Sequence, residues 1–93
     1  MSALSELTQF AVFFHQDFAL GFPDMPSGAR VYLRGLSPDR KVVLGREFDT
    51  FLTDHRSAKA LRNSWIRLGA GYAPRGDALL KQMQQVAALL QPA

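Results

Sequence analysis

Cysteine is absent from this chain of 93 residues, and histidine is scarce. The absence of cysteine excludes disulfides, Cys-ligated zinc, iron–sulfur clusters and thiol nucleophiles. The two histidines, His15 and His55, lack the spacing of a metal-binding motif, and hydrolytic metal centres generally need three protein ligands. The sequence therefore predicts neither a metal site nor a cofactor.

Long apolar runs are also missing. No stretch approaches the roughly 18 apolar residues of a membrane-spanning helix. The start of the chain has no Lys or Arg before an apolar stretch, as a secretory signal peptide would have. We therefore expect a cytoplasmic protein that has no membrane partner.

Positive charge is missing from the first third of the chain. Residues 1–29 contain Glu6, Asp17 and Asp24 but no Lys or Arg, so their net charge is −3. Residues 30–93 contain eleven cations and five acids and carry a net charge of +6. This asymmetry creates an electric dipole that can orient a charged partner as it approaches.

The chain has enough apolar matter for one core. Hydrophobic residues make up 47% of it and charged residues 20%, which is a balance typical of a folded protein. A length of 93 residues leaves no room for a second independent core. We therefore treat residues 1–93 as a single domain.

Helical periodicity dominates the two ends of the chain. Residues 3–18 carry apolar side chains at helical intervals, and Ser2 or Ser5 is placed to cap this helix. The apolar positions are Leu4, Leu7, Phe10, Ala11, Phe14 and Phe18. The richness in phenylalanine predicts that this helix is the hub of the core. Residues 57–68 and 77–90 show the same periodicity, beginning at a serine and at an aspartate respectively.

The middle of the chain is harder to interpret. Gly21, Pro23, Pro26 and Gly28 favour an ordered loop over residues 19–28. Residues 30–53 fit either of two structures. The β-branched residues predict a hairpin that pairs 30–35 with 41–45, whereas Ser37 followed by Pro38 is typical of a helix start. We favour the helix, so the predicted fold is an all-α bundle of about five short helices. An α+β fold with a small hairpin at 30–45 is the alternative.

Two motifs stand at the ends of the predicted bundle. Phe14-His15-Gln16-Asp17-Phe18 closes the first helix, and Leu68-Gly69-Ala70-Gly71-Tyr72-Ala73-Pro74-Arg75-Gly76-Asp77 leads into the last one. In their order and spacing, and in total length, the chain resembles the CdiI-type immunity proteins of contact-dependent growth inhibition systems. The resemblance implies an all-helical domain that binds and neutralises a cognate CdiA-type C-terminal toxin domain in the bacterial cytoplasm. It implies no enzymatic activity and no small-molecule substrate.

The first motif invites a catalytic interpretation that its spacing contradicts. His15 and Asp17 are two residues apart, so on a helix they point in different directions and cannot form a general-base pair. We expect a structural role for them, in which one of the two hydrogen-bonds the loop around Tyr72 and Asp77. Together with Gln16, these four residues form the predicted structural group.

Exposed acidic residues are the preferred partner-binding candidates. Asp17, Asp24 and Asp54 would suit the basic groove of a nuclease toxin. The alternative is that arginines contact an acidic face of the toxin. These arginines are Arg30, Arg34, Arg62 and Arg67.

A small helix-turn-helix DNA-binding protein is the main rival interpretation. The basic half of the chain would supply phosphate contacts. However, the candidate recognition helix, residues 57–68, offers only Arg62 and Asn63 for reading bases. Gly69-Ala70-Gly71 lacks the strand and the Lys-Ser/Thr of a phosphate-binding loop. Nucleic acid is therefore the less favoured partner.

Overall fold

Serine hydroxyls cap the N-termini of three helices in the computed structural model, which describes residues 5–90. Ser5 Oγ accepts a hydrogen bond from the Thr8 amide at 3.1 Å. The hydroxyls of Ser37 and Ser57 do the same for the amides three residues further on, at 3.3 Å and 3.1 Å. Each bond satisfies an amide that has no partner within its helix. These three serines therefore set where their helices start. Ser2, the other predicted cap of the first helix, lies outside the described residues.

Residues 5–90 form six helices and contain no strand. The helices are α1 (Glu6–Phe13), α2 (Phe18–Gly21), α3 (Met25–Arg34), α4 (Pro38–Asp54), α5 (Ala58–Arg67) and α6 (Asp77–Leu90). The predicted all-α class is therefore confirmed, with six helices instead of about five. The alternative hairpin at 30–45 is excluded, because residues 30–34 of its first proposed strand and all of its second strand, 41–45, are helical.

The predicted first helix, residues 3–18, is too long at its C-terminal end. The helix ends at Phe13, because Phe14 leaves the helical conformation with φ −87° and ψ 65°. Phe18 instead begins α2 and buries its ring there. Residues 3 and 4, where the prediction began, lie outside the described residues.

The predicted loop over residues 19–28 is also wrong, since α2 and α3 occupy most of it. Pro26 falls in the first turn of α3, where a helix requires no amide hydrogen. Asp24 caps this helix by accepting from the Ser27 amide at 2.9 Å. Glycine is required at position 28 of α3 because the ring of Phe18 packs directly against its backbone and leaves no space for a Cβ. The residues interpreted as helix breakers are therefore positioned where a helix tolerates them.

Aromatic rings form the centre of the core. The ring of Phe10 lies 4.9 Å from that of Phe14, 6.0 Å from that of Phe48 and 6.3 Å from that of Trp65, all in edge-to-face geometry. All four side chains are fully buried. Such pairs add stability beyond the area they bury. The prediction that the phenylalanine-rich first helix is the hub of the core is confirmed.

Two side chains from distant helices accept hydrogen bonds from backbone amides at the starts of α1 and α3. Glu47 Oε1 accepts from the Leu7 amide and Gln82 Oε1 accepts from the Met25 amide, each at 2.8 Å. In this way α4 holds the start of α1, and α6 holds the start of α3. The helices pack accordingly, with α1 against α4 and with α6 against α3, α4 and α5.

The dimensions of the molecule agree with a single core. Its radius of gyration is 12.3 Å, which is the value expected for a folded chain of this length. Within residues 5–90, no helix combines the length and the apolar character needed to cross a bilayer.

Candidate partner-binding surface

The two sequence motifs meet at the C-terminal end of α1. The carbonyl oxygen of Phe14 accepts hydrogen bonds from the amides of Gly71, at 2.8 Å, and Tyr72, at 2.9 Å. This carbonyl is free to do so because α1 has already ended and its last carbonyls lack helical partners. We call this contact between residues 14–16 and residues 71–72 the motif junction.

Gly71 is required by the closeness of the motif junction. A Cβ at this position would lie 2.5 Å from the amide nitrogen of Gln16 and 3.0 Å from the carbonyl carbon of His15. Both atoms are backbone, so neither is able to swing aside. Gly69 has a different reason to be glycine, because its φ of 112° lies in the region that side chains disfavour.

Helix α5 holds the loop that supplies the second motif. Trp65 Nε1 donates to the carbonyl of Tyr72 at 3.1 Å, and Arg62 Nε donates to the carbonyl of Ala73 at 3.1 Å. The ring of Tyr72 in turn lies 4.8 Å from the ring of Phe18. The loop after α5 is therefore fixed against both α5 and the start of α2.

Only some residues of the predicted structural group lie at the motif junction. His15 is exposed, and its Nδ1 accepts from the amide of Asp17 at 3.1 Å. Within residues 5–90, no side-chain hydrogen bond links His15 or Asp17 to the loop around Tyr72 and Asp77; the backbone carbonyl of Phe14 contacts this loop instead. Gln16 contributes its main chain, and Asp77 is exposed at the start of α6. The signal that points to this contact is Gly71, which we interpreted only as a helix stop.

The three predicted partner-binding aspartates do not form one patch. Asp17 precedes α2 and Asp24 follows it, so these two flank the same short helix. Asp54 is the last residue of α4 and lies beside Ser5 and Leu7, at the opposite end of α1. Because α1 spans eight residues, or about 12 Å, the structure separates Asp54 from the other two.

An open depression of about 380 Å³ surrounds Asp54. Its lining includes Leu7, Arg46, Glu47, Phe51, Asp54 and His55. Two of its ionisable groups already have partners, since Glu47 accepts from the Leu7 amide and His55 Nδ1 lies 2.9 Å from the Phe51 carbonyl. Among the described residues, no three His, Asp or Glu side chains converge as metal ligands.

The segment between Asp17 and Asp24 presents one side chain almost entirely to solvent. Phe18 and Phe22 stack on each other, with centroids 4.9 Å apart, and attach the short helix to the core. Leu20 points the other way and is 87% exposed. Leu20 is not among the predicted partner-binding residues, because the sequence pattern predicts a loop over residues 19–28 and not α2. The spacing in Phe18-Ala19-Leu20-Gly21-Phe22 is the signal, since it places Leu20 between two inward-facing rings.

The pKa of Asp24 leads to a prediction about stability at acidic pH. Hydrogen bonds from the backbone and side chain of Ser27, with a smaller contribution from Arg30, lower this pKa from its ordinary value of 3.8. The folded state therefore favours the ionised carboxylate. The resulting stabilisation is complete above pH 3.8 and is lost as the pH falls through the folded-state pKa.

Asp24→Asn isolates this contribution, because asparagine also caps helices but does not titrate. We expect wild type to be more stable than Asp24→Asn near neutral pH, and the difference to shrink as the pH falls below about 4. Urea denaturation across this pH range measures it. A difference that stays constant with pH would contradict the assignment.

Comparisons with known proteins do not indicate a function for this chain. No family model, no curated protein and no solved structure matches it. The function therefore has to be inferred from the motif junction, from the charge distribution and from the exposed groups beside α2.

Proposed function

We propose that this protein is an immunity protein, which binds the cognate CdiA-type toxin domain of a contact-dependent growth inhibition system in the cytoplasm and neutralises it in a stoichiometric complex. The motif junction carries the proposal. The two segments that resemble this family are more than fifty residues apart in sequence, yet Gly71 and Tyr72 hydrogen-bond directly to Phe14. The resemblance thus concerns one contiguous structural feature.

The motif junction supports inhibition by giving the neighbouring surface a fixed shape. A rigid surface loses little conformational entropy on binding, and this favours high affinity. An inhibitor that works at low cellular concentration needs a Kd of about 1 nM or below. An ordinary interface takes about 800 Å² from each partner, which is roughly one seventh of the 5827 Å² of accessible surface here. One face of the molecule is large enough to supply this area.

The charge distribution supports a basic toxin, and a nuclease is the proposed class. Nucleases bind the phosphates of their substrate through Lys and Arg, so their grooves are positively charged. Asp17 and Asp24 lie in the part of the chain that has no cations before Arg30. Attraction between such surfaces accelerates association and orients the two proteins.

DNA binding is the second candidate function, and one observation favours it. The exposed side of α5 carries Lys59, Asn63 and Arg67 at intervals of four residues. Arg62, the other candidate base reader in the sequence analysis, is committed to the carbonyl of Ala73. If this function is correct, the protein will retard duplex DNA in a gel, and the retardation will weaken steeply with added salt.

Rescue of poisoned cells tests the main proposal. The proposed function predicts that a large exoprotein is encoded next to this chain, and the probe is the C-terminal domain of that exoprotein, produced inside a sensitive bacterium. Co-expression of the protein is expected to restore growth, and the purified pair is expected to elute as a 1:1 complex. A toxin domain taken from an unrelated exoprotein serves as the control and should remain lethal. If the neighbouring toxin domain remains fully lethal, the proposal is wrong.

A further inference from the structure

Leu20 is the most exposed large apolar side chain in the described part of the chain. It is 87% exposed, whereas the other large hydrophobic residues that count as exposed rather than partly buried are between 42% and 52% exposed. These are Val12, Val31, Val42, Val43 and Ile66. A single exposed leucine is common on protein surfaces and by itself indicates nothing. Its support and its charged neighbours distinguish this one.

The helix that carries Leu20 is held at both ends. The Phe14 carbonyl of the motif junction lies just before it, and the amide of Leu20 donates to the carbonyl of Asp17 at 3.0 Å. After it, the Asp24 cap and the bond from the Met25 amide to Gln82 fix the start of α3. Leu20 therefore projects from a preorganised position, which lowers the entropy cost of using it as a contact.

Acidic residues flank the short helix that carries Leu20, with Asp17 before it and Asp24 after it. The carboxylate of Asp17 has no hydrogen-bond or ion-pair partner among residues 5–90, so its charge is available to a partner. Asp24 faces Ser27 and, more distantly, Arg30, which offsets part of its charge. The remaining acid of residues 1–29, Glu6, lies at the opposite end of α1 and is paired with Arg40 at 3.0 Å. The available negative charge in this region is therefore concentrated at Asp17, on the same short segment as Leu20.

We infer that residues 17–24, which we call the α2 tip, form the surface that contacts the toxin, with Leu20 as its apolar anchor and Asp17 as its principal charge. This inference rests on the proposed function and specifies its interface. The occupant is a basic protein surface that has a small apolar pocket bordered by Lys or Arg. Interfaces concentrate their binding energy in such anchors surrounded by a polar rim. On a nuclease, the corresponding surface is the phosphate-binding groove, so the α2 tip excludes the nucleic acid from it.

The test measures the affinity of the variants for a catalytically inactivated form of the neighbouring toxin domain by calorimetry. Leu20→Ala and Asp17→Lys are each expected to raise the Kd at least about tenfold, as loss of an interface anchor does. Val42→Ala removes a different exposed apolar side chain, on α4, and Asp54→Lys reverses a charge at the opposite end of α1. These two controls should change the Kd less than about twofold, since surface residues outside an interface contribute little to binding. Circular dichroism checks that each variant melts like wild type.

The outcomes separate the inference from the proposed function. If wild type binds tightly and both Leu20→Ala and Asp17→Lys bind equally well, the inference is overturned and the immunity function stands. If wild type neither binds nor protects, the proposed function fails. Addition of wild type should also release a fluorescent oligonucleotide from the inactivated toxin domain. An oligonucleotide that stays bound in the complex overturns the placement of the α2 tip in the groove.

Discussion

Gly71→Ala is expected to destabilise the protein by about 3 kcal/mol, at the upper end of what overpacking costs. The new Cβ would lie 2.5 Å from the Gln16 amide nitrogen, so residues 14–16 and the loop would have to separate. Separation weakens the two hydrogen bonds to the Phe14 carbonyl. Urea denaturation monitored by circular dichroism measures the loss.

Gly21→Ala is the matched control for this prediction. A Cβ on Gly21 would meet nothing within 4 Å, and the residue lies at the exposed end of α2. This substitution should change the free energy of unfolding by no more than about 0.5 kcal/mol. Equal stabilities for Gly71→Ala and Gly21→Ala would show that the motif junction does not require glycine.

Trp65→Ala should have the largest effect of any single substitution considered for this protein, with a loss of about 4 kcal/mol. Trp65 is fully buried, and its ring contacts those of Phe10, Phe14 and Phe51. Domains of this size have total stabilities of about 5–14 kcal/mol, so this loss removes between about a third and four fifths of the stability. Thermal and urea denaturation will show the loss as an early, broadened transition.

Trp65→Phe separates packing from hydrogen bonding at the same position. Phenylalanine keeps an aromatic ring in the core but cannot donate to the Tyr72 carbonyl as Trp65 Nε1 does. The expected loss is about 1–2 kcal/mol, typical of a broken hydrogen bond and some lost area. Ile66→Ala is the control, since the side chain of Ile66, the next residue in the chain, is 42% exposed. A loss on Trp65→Ala no larger than that on Ile66→Ala would contradict the central position of this ring.

The fold class could be predicted because its signals are local. Ser37 and Ser57 each cap the amide three residues ahead, as serine does at many helix starts, and apolar spacing defines the faces of α5 and α6. The start of α3 is different. Its glycine and its proline argue against a helix until the ring of Phe18 and the side chain of Gln82 are placed beside them. Contacts between distant residues decided this region, and local sequence does not reveal them.

The candidate site could be predicted in part, for the same reason. Asp17 and Asp24 stand out by sequence alone, because no cation precedes Arg30. The sequence does not show that Asp54 lies apart from these two aspartates. It also does not show that Leu20, between them in the chain, faces solvent, because this depends on where α1 ends. The position of that end depends on the Phe14 carbonyl and on a loop more than fifty residues away.

The dependence of α3 on Gln82 has a consequence for protein synthesis. Gln82 belongs to α6, which follows the other five helices in the chain and packs against three of them. While the ribosome still covers α6, the Met25 amide has no such acceptor and α3 lacks the helix that it packs against most extensively. The nascent chain is therefore expected to stay incompletely folded until α6 has left the ribosome. A prematurely terminated product would be a substrate for proteases, and full-length molecules alone would accumulate in the cell.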